Sequence, residues 1–345
     1  DLNLSVLVGH NVRQRDFNSQ ISTANGLIVP NVYTLANSLN RPTAINQIIN
    51  RRLWGIYTDI NFAYKNYLFF GITARNDWSS TLPKDNNSFF YPSANVSLVF
   101  SELFQLPEFF TYGKLRASIA QVGNDAPPYS LQSVFVPGIV TTDPNNSLIT
   151  DGYQNSLINF PLNGVPGYTQ GDIIGNPELK PEITTSFEIG ADLGFFKDRL
   201  GIEFTYYSNE SRDQIVTVPI AASSGYTNQT LNAGSITNKG VEVLLRGQPV
   251  RGRNFTWEIT GTFTHNQNKV KELFSGIEQI SLGGFVGATL VAKVGEPYGS
   301  FFGAGFQKDP QGRVVVDAAT GYPLTDPIAR IHGNIQPDYL ASLTN

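Results

Sequence analysis

Between Phe187 and Phe195 every odd position is apolar, namely Phe187, Ile189, Ala191, Leu193 and Phe195, while Glu188, Gly190, Asp192 and Gly194 fill the even ones. Successive side chains of a strand point to opposite faces, so this segment has one face fit for hydrocarbon and one for water. The rhythm recurs along the chain. Its apolar rows are Leu2 to Val8, Trp54 to Tyr64, Leu68 to Ala74, Ala94 to Phe100, Leu115 to Ile119, Leu200 to Tyr206, Val241 to Leu245 and Phe255 to Phe263, each read at every second residue. A further strand is expected to begin near Tyr339. No charge falls in any of these rows. The opposite rows hold Asp59, Arg75, Asp77, Lys114, Arg116, Glu188, Asp192, Glu203, Glu242, Arg246 and Glu258.

A water-soluble sandwich would show the same rows, with the apolar face as its core. The connections separate the two readings. Short turns are expected at Lys65-Asn66, at Lys197-Asp198 and across Gln248 to Arg253, with a longer turn from Glu102 to Gly113 that has room for a helical stretch. Between them lie loops of about 40, 60, 25 and 70 residues starting at Arg13, Gly123, Arg212 and Gln267, and short turns opposite long loops mark a transmembrane β-barrel. Trp54, Trp78 and the Phe89-Phe90-Tyr91 group are placed at the outer ends of strands, and Tyr64, Phe100, Phe195 and Trp257 at the inner ends, as interfacial girdles would be. The fold class expected is all-β: a transmembrane antiparallel barrel wall of about ten strands.

Composition agrees. Charged residues make up 15% of the 345, against about 25% in soluble domains. Yet no apolar run approaches the ~20 residues of a membrane helix. A net charge of −4 argues against a nucleic-acid partner. Cysteine is absent, which removes disulfides and thiolate metal sites. Methionine is absent too, and Asp1 leads straight into a strand, as an interior piece of a longer chain would.

From about residue 52 onward, Arg75-Asn76-Asp77-Trp78, Gly175-Asn176-Pro177 and Asn238-Lys239-Gly240 stand in an order by which the chain resembles the SusC/RagA family of TonB-dependent outer-membrane transporters. The most specific stretch is Gly175-Asn176-Pro177-Glu178-Leu179-Lys180-Pro181-Glu182, which is similar to the family's NPxLKxE entry into a barrel strand; Asn176, Pro177, Leu179, Lys180 and Glu182 carry the match. Proline cannot donate to a ladder, so Pro177 and Pro181 suit a strand entrance. Supporting matches are Arg75-Asn76-Asp77-Trp78, Tyr91-Pro92-Ser93, Gly123-Asn124, Asn238-Lys239-Gly240, Gly295-Glu296-Pro297-Tyr298-Gly299 and Pro337-Asp338-Tyr339. The resemblance implies a 22-stranded barrel with an N-terminal plug, a SusD-like lipoprotein over the outer mouth, and energy supplied through the TonB complex. Residues 1–345 are then part of one barrel domain, with the plug, the TonB-contacting segment and the terminal strands outside them. The location implied is the outer membrane of a Gram-negative bacterium, in contact with its lipid.

Chemistry on a substrate is not expected. His10 and His265 continue apolar rows at outer ends, His332 stands apart, and none forms a metal-ligand cluster; no nucleophile has a base beside it, and no cofactor is implied. The segment Asp309-Pro310-Gln311-Gly312-Arg313 with Asp317 and Asp326 misses the spacing of a calcium loop and reads as a solvated hairpin. The lumen-facing charges Arg75, Asp77, Glu188, Asp192, Glu203 and Glu242 are candidates to line a solute path. In the loops, Tyr129, Tyr153, Tyr168 and Tyr226 are candidates for ligand contact, because loops carry function more often than scaffold. The function expected is active import of an oligosaccharide or oligopeptide. Two alternatives stand beside it: a receptor for a metal chelate or vitamin, and a non-transporting barrel that anchors a surface complex.

Overall fold

The computed structural model of the protein describes residues 2–137, 165, 167–274, 276–285 and 287–345. Ten strands form one antiparallel sheet: β1 (Leu2–Thr23), β2 (Thr43–Tyr64), β3 (Leu68–Ser79), β4 (Ser88–Val99), β5 (Phe110–Asn124), β6 (Glu182–Phe195), β7 (Leu200–Arg212), β8 (Ser235–Arg251), β9 (Thr256–Glu272) and β10 (Leu340–Thr344). Each pairs with the one before it in this series, and β1 and β10 are the outermost two.

The register joins the apolar rows into one surface. A line of directly opposed residues runs Leu2, Tyr64, Leu68, Leu98, Leu115, Ala191, Phe204, Val243, Phe263 and Ala341, crossing every strand. No charge interrupts it. These side chains are not a core: Leu115 is 49% exposed, Phe263 42% and Phe204 40%. A water-soluble sandwich would bury this face. A contiguous apolar surface of such extent needs a nonaqueous neighbour, and the acyl chains of a bilayer supply it.

Buried apolar clusters lie instead at one end of the wall. Leu82, Phe89, Ala126 and Leu179 form one; Val218, Val270, Leu273, Ile280 and Ala292 form the other. This is the end with the long connections 24–42, 125–181, 213–234 and 273–339, with 80–87 the shortest there. At the opposite end the strands join through 65–67, 100–109, 196–199 and 252–255. Three of these residues in one turn, Phe196, Lys197 and Asp198, take left-handed φ of 55–62°, which closes it within four residues. Phe100, Phe109, Phe110, Phe195 and Phe196 pack ring on ring there, while Trp54 stacks on Trp78 at 4.3 Å near the loop end.

The structure differs from expectation in three places. The stretch from Arg13, expected as loop, continues as a two-stranded ribbon in register from Arg13↔Leu53 to Thr23↔Thr43. Beyond the hydrocarbon both faces of a strand meet water, so the ladder persists after the alternation ends. The turn after β4 contains only a single 3-10 turn, Phe100–Glu102. Of the Phe89-Phe90-Tyr91 group, only Phe90 stands outside, 59% exposed; alternation sends Phe89 into a buried cluster and Tyr91 onto the polar face.

The loops build their own small sheets. Ile215–Pro219, Asn228–Asn232 and Ile173–Ile174 make a three-stranded one, and Gln279–Phe285, Ala288–Lys293, Ser300–Gly303 and Arg330–Asn334 a four-stranded one. With the short turns in the periplasm, a membrane-impermeant maleimide applied to intact cells is expected to label Gln311→Cys and to leave Lys197→Cys unmodified until the outer membrane is permeabilised. Labelling in the reverse order would invert the orientation.

Candidate functional site: the polar face and its loop rim

Arg75, Asp77, Glu188, Asp192, Glu203 and Glu242 alternate with the apolar rows along their strands and so stand on the opposite face of the sheet. Arg75 and Asp77 pair with each other at 2.8 Å, Arg75 also donates to Asn11 Oδ1 at 2.8 Å, and the Tyr91 hydroxyl donates to Asp77 at 2.5 Å. This group lies across Gly55, where a Cβ would overlap Asp77 Oδ1 and Arg75. Asp192 faces two cations, Lys114 Nζ at 3.5 Å and Arg116 Nη2 at 3.8 Å, and Arg116 donates to Thr205 Oγ1 at 2.5 Å. Arg116 crosses Gly190, where a Cβ would overlap its guanidinium. Glu203 pairs with Arg246 at 3.9 Å. Glu188 and Glu242 have no cation within 4 Å among the described residues and line an open hollow of about 380 Å³ with Tyr207, Asn209, Asn238 and Asn266. The face is therefore mixed in sign.

The rim above carries a latch that sequence reading missed. Asp125, 6% exposed, accepts from Arg51, Ser79 and Thr81. It ties β2, the end of β3 and the start of the 125–181 loop together. Its only signal in the sequence is its place directly after Gly123-Asn124.

The motif at 175–182 is a clasp between loops. Asn176 Oδ1 caps the turn by accepting from Glu178 N at 2.9 Å, and Leu179 is wholly buried among Leu82, Phe89 and Ala126. Lys180 exchanges two hydrogen bonds with Asn232, each 2.8 Å, and Asn232 donates also to Asp213 O. Glu182 accepts from Asn124 Nδ2 at 2.9 Å and from Ile215 N at 2.7 Å. Pro177 gives up no hydrogen bond by lacking an N–H at this entrance.

Of the loop tyrosines, Tyr129 is 59% exposed, adopts φ of 65° and accepts from Asn50 N through its hydroxyl. Tyr168 is 63% exposed opposite Pro137, and Tyr226 is half-buried after the turn Ala222–Ser224. Tyr153 lies outside the described residues. The backbone bonds Gly171 N to Val134 O, Asn176 N to Ser130 O and Thr227 N to Asp172 O join the three segments into one layer.

The histidines stay apart. His10 opposes Ile56, His265 Nδ1 meets Asp338 O, and His332 Nε2 meets Gly303 O. Among the described residues no group of His, Cys, Asp and Glu is placed to hold a metal ion. The aspartates at 309 and 317 are consumed by their own turns. Backbone N–H of Arg313, its guanidinium and then Gln311 N–H hold the Asp309 carboxyl below its ordinary range; Thr320 N–H, the Thr320 hydroxyl and Ala319 N–H do so for Asp317. A depressed folded-state pKa contributes stability above the unfolded value, about 3.9, and loses it as pH falls through the folded one. Protection of the Arg313 and Thr320 amides from hydrogen exchange, corrected for intrinsic rates, is therefore expected to stay flat from pH 8 to 5 and to fall only below pH 4. Loss of protection near neutrality would contradict it.

A sheet with hydrocarbon-facing side chains on one surface, paired charges on the other and loops massed at one end is a wall of a transmembrane β-barrel. The chain belongs to the TonB dependent receptor-like, beta-barrel family, whose model matches residues 1–336. It is 33% identical over 228 residues to TonB-dependent receptor P26 of Formosa agariphila, covering 65% of this chain and 21% of that protein. It is 24% identical over 225 residues to TonB-dependent receptor SusC of Bacteroides thetaiotaomicron, covering 63% of this chain and 20% of that one. In fold it resembles the structure of the RagAB peptide transporter, with a TM-score of 0.76 and 20% identity, over 99% of this chain and 37% of that chain. The chain thus spans about a fifth of the length of these curated relatives. Its family places it in the outer membrane of Gram-negative bacteria.

Proposed function

We propose that the protein serves TonB-dependent import of a nutrient, an oligosaccharide or an oligopeptide, through the outer membrane together with a SusD-like surface lipoprotein. One observation carries the reading: a single apolar surface crosses all ten strands while its reverse side carries the charges. Membership of the TonB-dependent receptor family supports the source of energy, and likeness to SusC and to the RagAB fold supports the lipoprotein partner. An open sheet edge in hydrocarbon leaves backbone groups unsatisfied at several kcal/mol each, so in this reading further strands complete the barrel. Arg75, Asp77, Glu188, Asp192, Glu203 and Glu242 then face its lumen. Tyr129, Tyr168 and Tyr226 present rings at its outer mouth.

The test is growth and uptake with the gene deleted in its native host. Neutral oligosaccharides, oligopeptides and ferric chelates are each supplied as sole source, with and without TonB, and the full-length protein is purified for its companions. Loss of oligosaccharide or peptide uptake in both deletions, with a lipoprotein co-purifying, is the expected result. Loss of chelate uptake alone would make it a metal-chelate receptor. Unchanged uptake of every solute would make it a structural barrel.

A further inference from the structure

The four-stranded loop sheet carries a hollow that neither the barrel wall nor the tyrosines account for. It lies beside the strands Ser300–Gly303 and Arg330–Asn334, has a volume of about 620 Å³, and is lined by Ala304, Gly305, Phe306, Lys308, Thr325, Asp326, Arg330 and His332. The size is that of a small-molecule site, about 300–1,000 Å³. The charge at this place runs against that of the chain as a whole, which is −4. Lys308 and Arg330 are cationic, and Asp326 is the one carboxylate in the lining.

That carboxylate is already taken. Asp326 pairs with Arg330 and accepts from Ile328 N at 3.0 Å. Lys308 has no hydrogen-bond or ion-pair partner among the described residues and is exposed. Lys308 and Arg330 set against Asp326 leave one positive charge in excess, matched by a single oxyanion. The walls are also shaped for more than an ion. Phe306 presents an open ring, 60% exposed, and the His332 imidazole is held over Gly305 by its Nε2 contact with Gly303 O at 3.0 Å. A Cβ at Gly305 would press on that ring at 2.8 Å.

We propose that this hollow holds one carboxylate or sulfate group of an acidic ligand with a sugar- or peptide-sized body. Lys308 supplies the charge, Arg330 the fixed donors, and Phe306 the platform for the body. The inference concerns binding at the loop surface and is independent of whether the ligand is later imported.

Detergent-solubilised full-length protein is titrated with tetragalacturonate, whose residues each carry a carboxylate, and with maltotetraose as the neutral counterpart; inorganic sulfate is added as competitor. Lipopolysaccharide-containing micelles form a third arm. Saturable binding of tetragalacturonate, competed by sulfate and weakened at least tenfold by Lys308→Ala, is the expected result. Lys308→Ala removes no side-chain hydrogen bond or ion pair among the described residues, and Lys308→Arg should restore most of the affinity. Equal binding of tetragalacturonate by wild type and Lys308→Ala, equal binding of the neutral tetramer, or no binding of any soluble anion would overturn the proposal. Binding confined to lipopolysaccharide would overturn it too, in favour of a lipid contact. None of these outcomes depends on TonB or on uptake, so failure here leaves the proposed import function to its own test.

Discussion

Phe204→Arg is expected to destabilise the folded barrel far more than a charge substitution on its polar face. Phe204 sits in the middle of its row, between Ala191 and Val243, and is 40% exposed on the apolar surface. An arginine facing lipid at mid-membrane costs about 2–4 kcal/mol. At about 1.4 kcal/mol per decade that is roughly a 30- to 700-fold shift from folded to unfolded. Depth should grade the effect: Ile189→Arg, two residue pairs nearer the loops opposite Tyr206, should cost less because its guanidinium can snorkel toward the headgroups. Asp192→Asn is the control from the other face. It weakens contacts to Lys114 and Arg116 whose side chains are 30% and 41% exposed, pairs of a kind worth at most about 1 kcal/mol. The heat-modifiable fraction on unboiled gels and guanidinium unfolding in lipid both read these differences. Equal tolerance of Phe204→Arg and Asp192→Asn would mean that the face assignment is wrong.

The wall was legible in the sequence because each of its strands must satisfy two solvents at once. Glu188 cannot trade places with Ile189 in a bilayer, so the two-residue period is written into every spanning segment. Where only water is present the constraint lapses. Arg13 to Thr23 and Thr43 to Arg52 pair residue by residue, yet they carry no period that sets them apart from a polar loop. The small loop sheets were hidden for a related reason. Strands such as Ile215–Pro219 or Ser300–Gly303 are too short to show alternation, and their partners are fixed by contacts between loops distant in sequence.

The polar face was legible as a set of charges and not as a set of pairs. Arg75 and Asp77 share one strand and one face, so their pairing follows from spacing. Asp192 is different: its cations come from β5, which joins β6 only after the long 125–181 loop. Asp125 escaped because a single aspartate after a glycine and an asparagine looks like any loop residue. Its weight comes from burial, which brings Arg51, Ser79 and Thr81 onto it from elsewhere. For the loop tyrosines, exposure of Tyr129 and Tyr168 keeps them available without saying to what.

The motif at 175–182 was recognisable by resemblance, while its physical office emerged only from packing, and Leu179→Ala measures it. Leu179 is fully buried, and truncating a buried leucine costs about 2–5 kcal/mol, more where the surroundings cannot collapse. Collapse is restricted here, because Phe89 is fixed by strand β4 and Leu82 by the tight 80–87 connection. The loss should therefore fall on the clasp: the Lys180–Asn232 exchange and the bond from Ile215 N to Glu182 hold loops that Leu179 anchors. Hydrogen exchange at the Lys180, Ile215 and Ala233 amides should accelerate by roughly 30-fold or more, the lower end of that energy range. Amides of the β6–β7 ladder such as Phe204 should keep their wild-type rates, since lipid and not Leu179 covers that face. If exchange rose uniformly through the wall, or did not rise at all, the clasp would not be what holds the outer loops on the barrel.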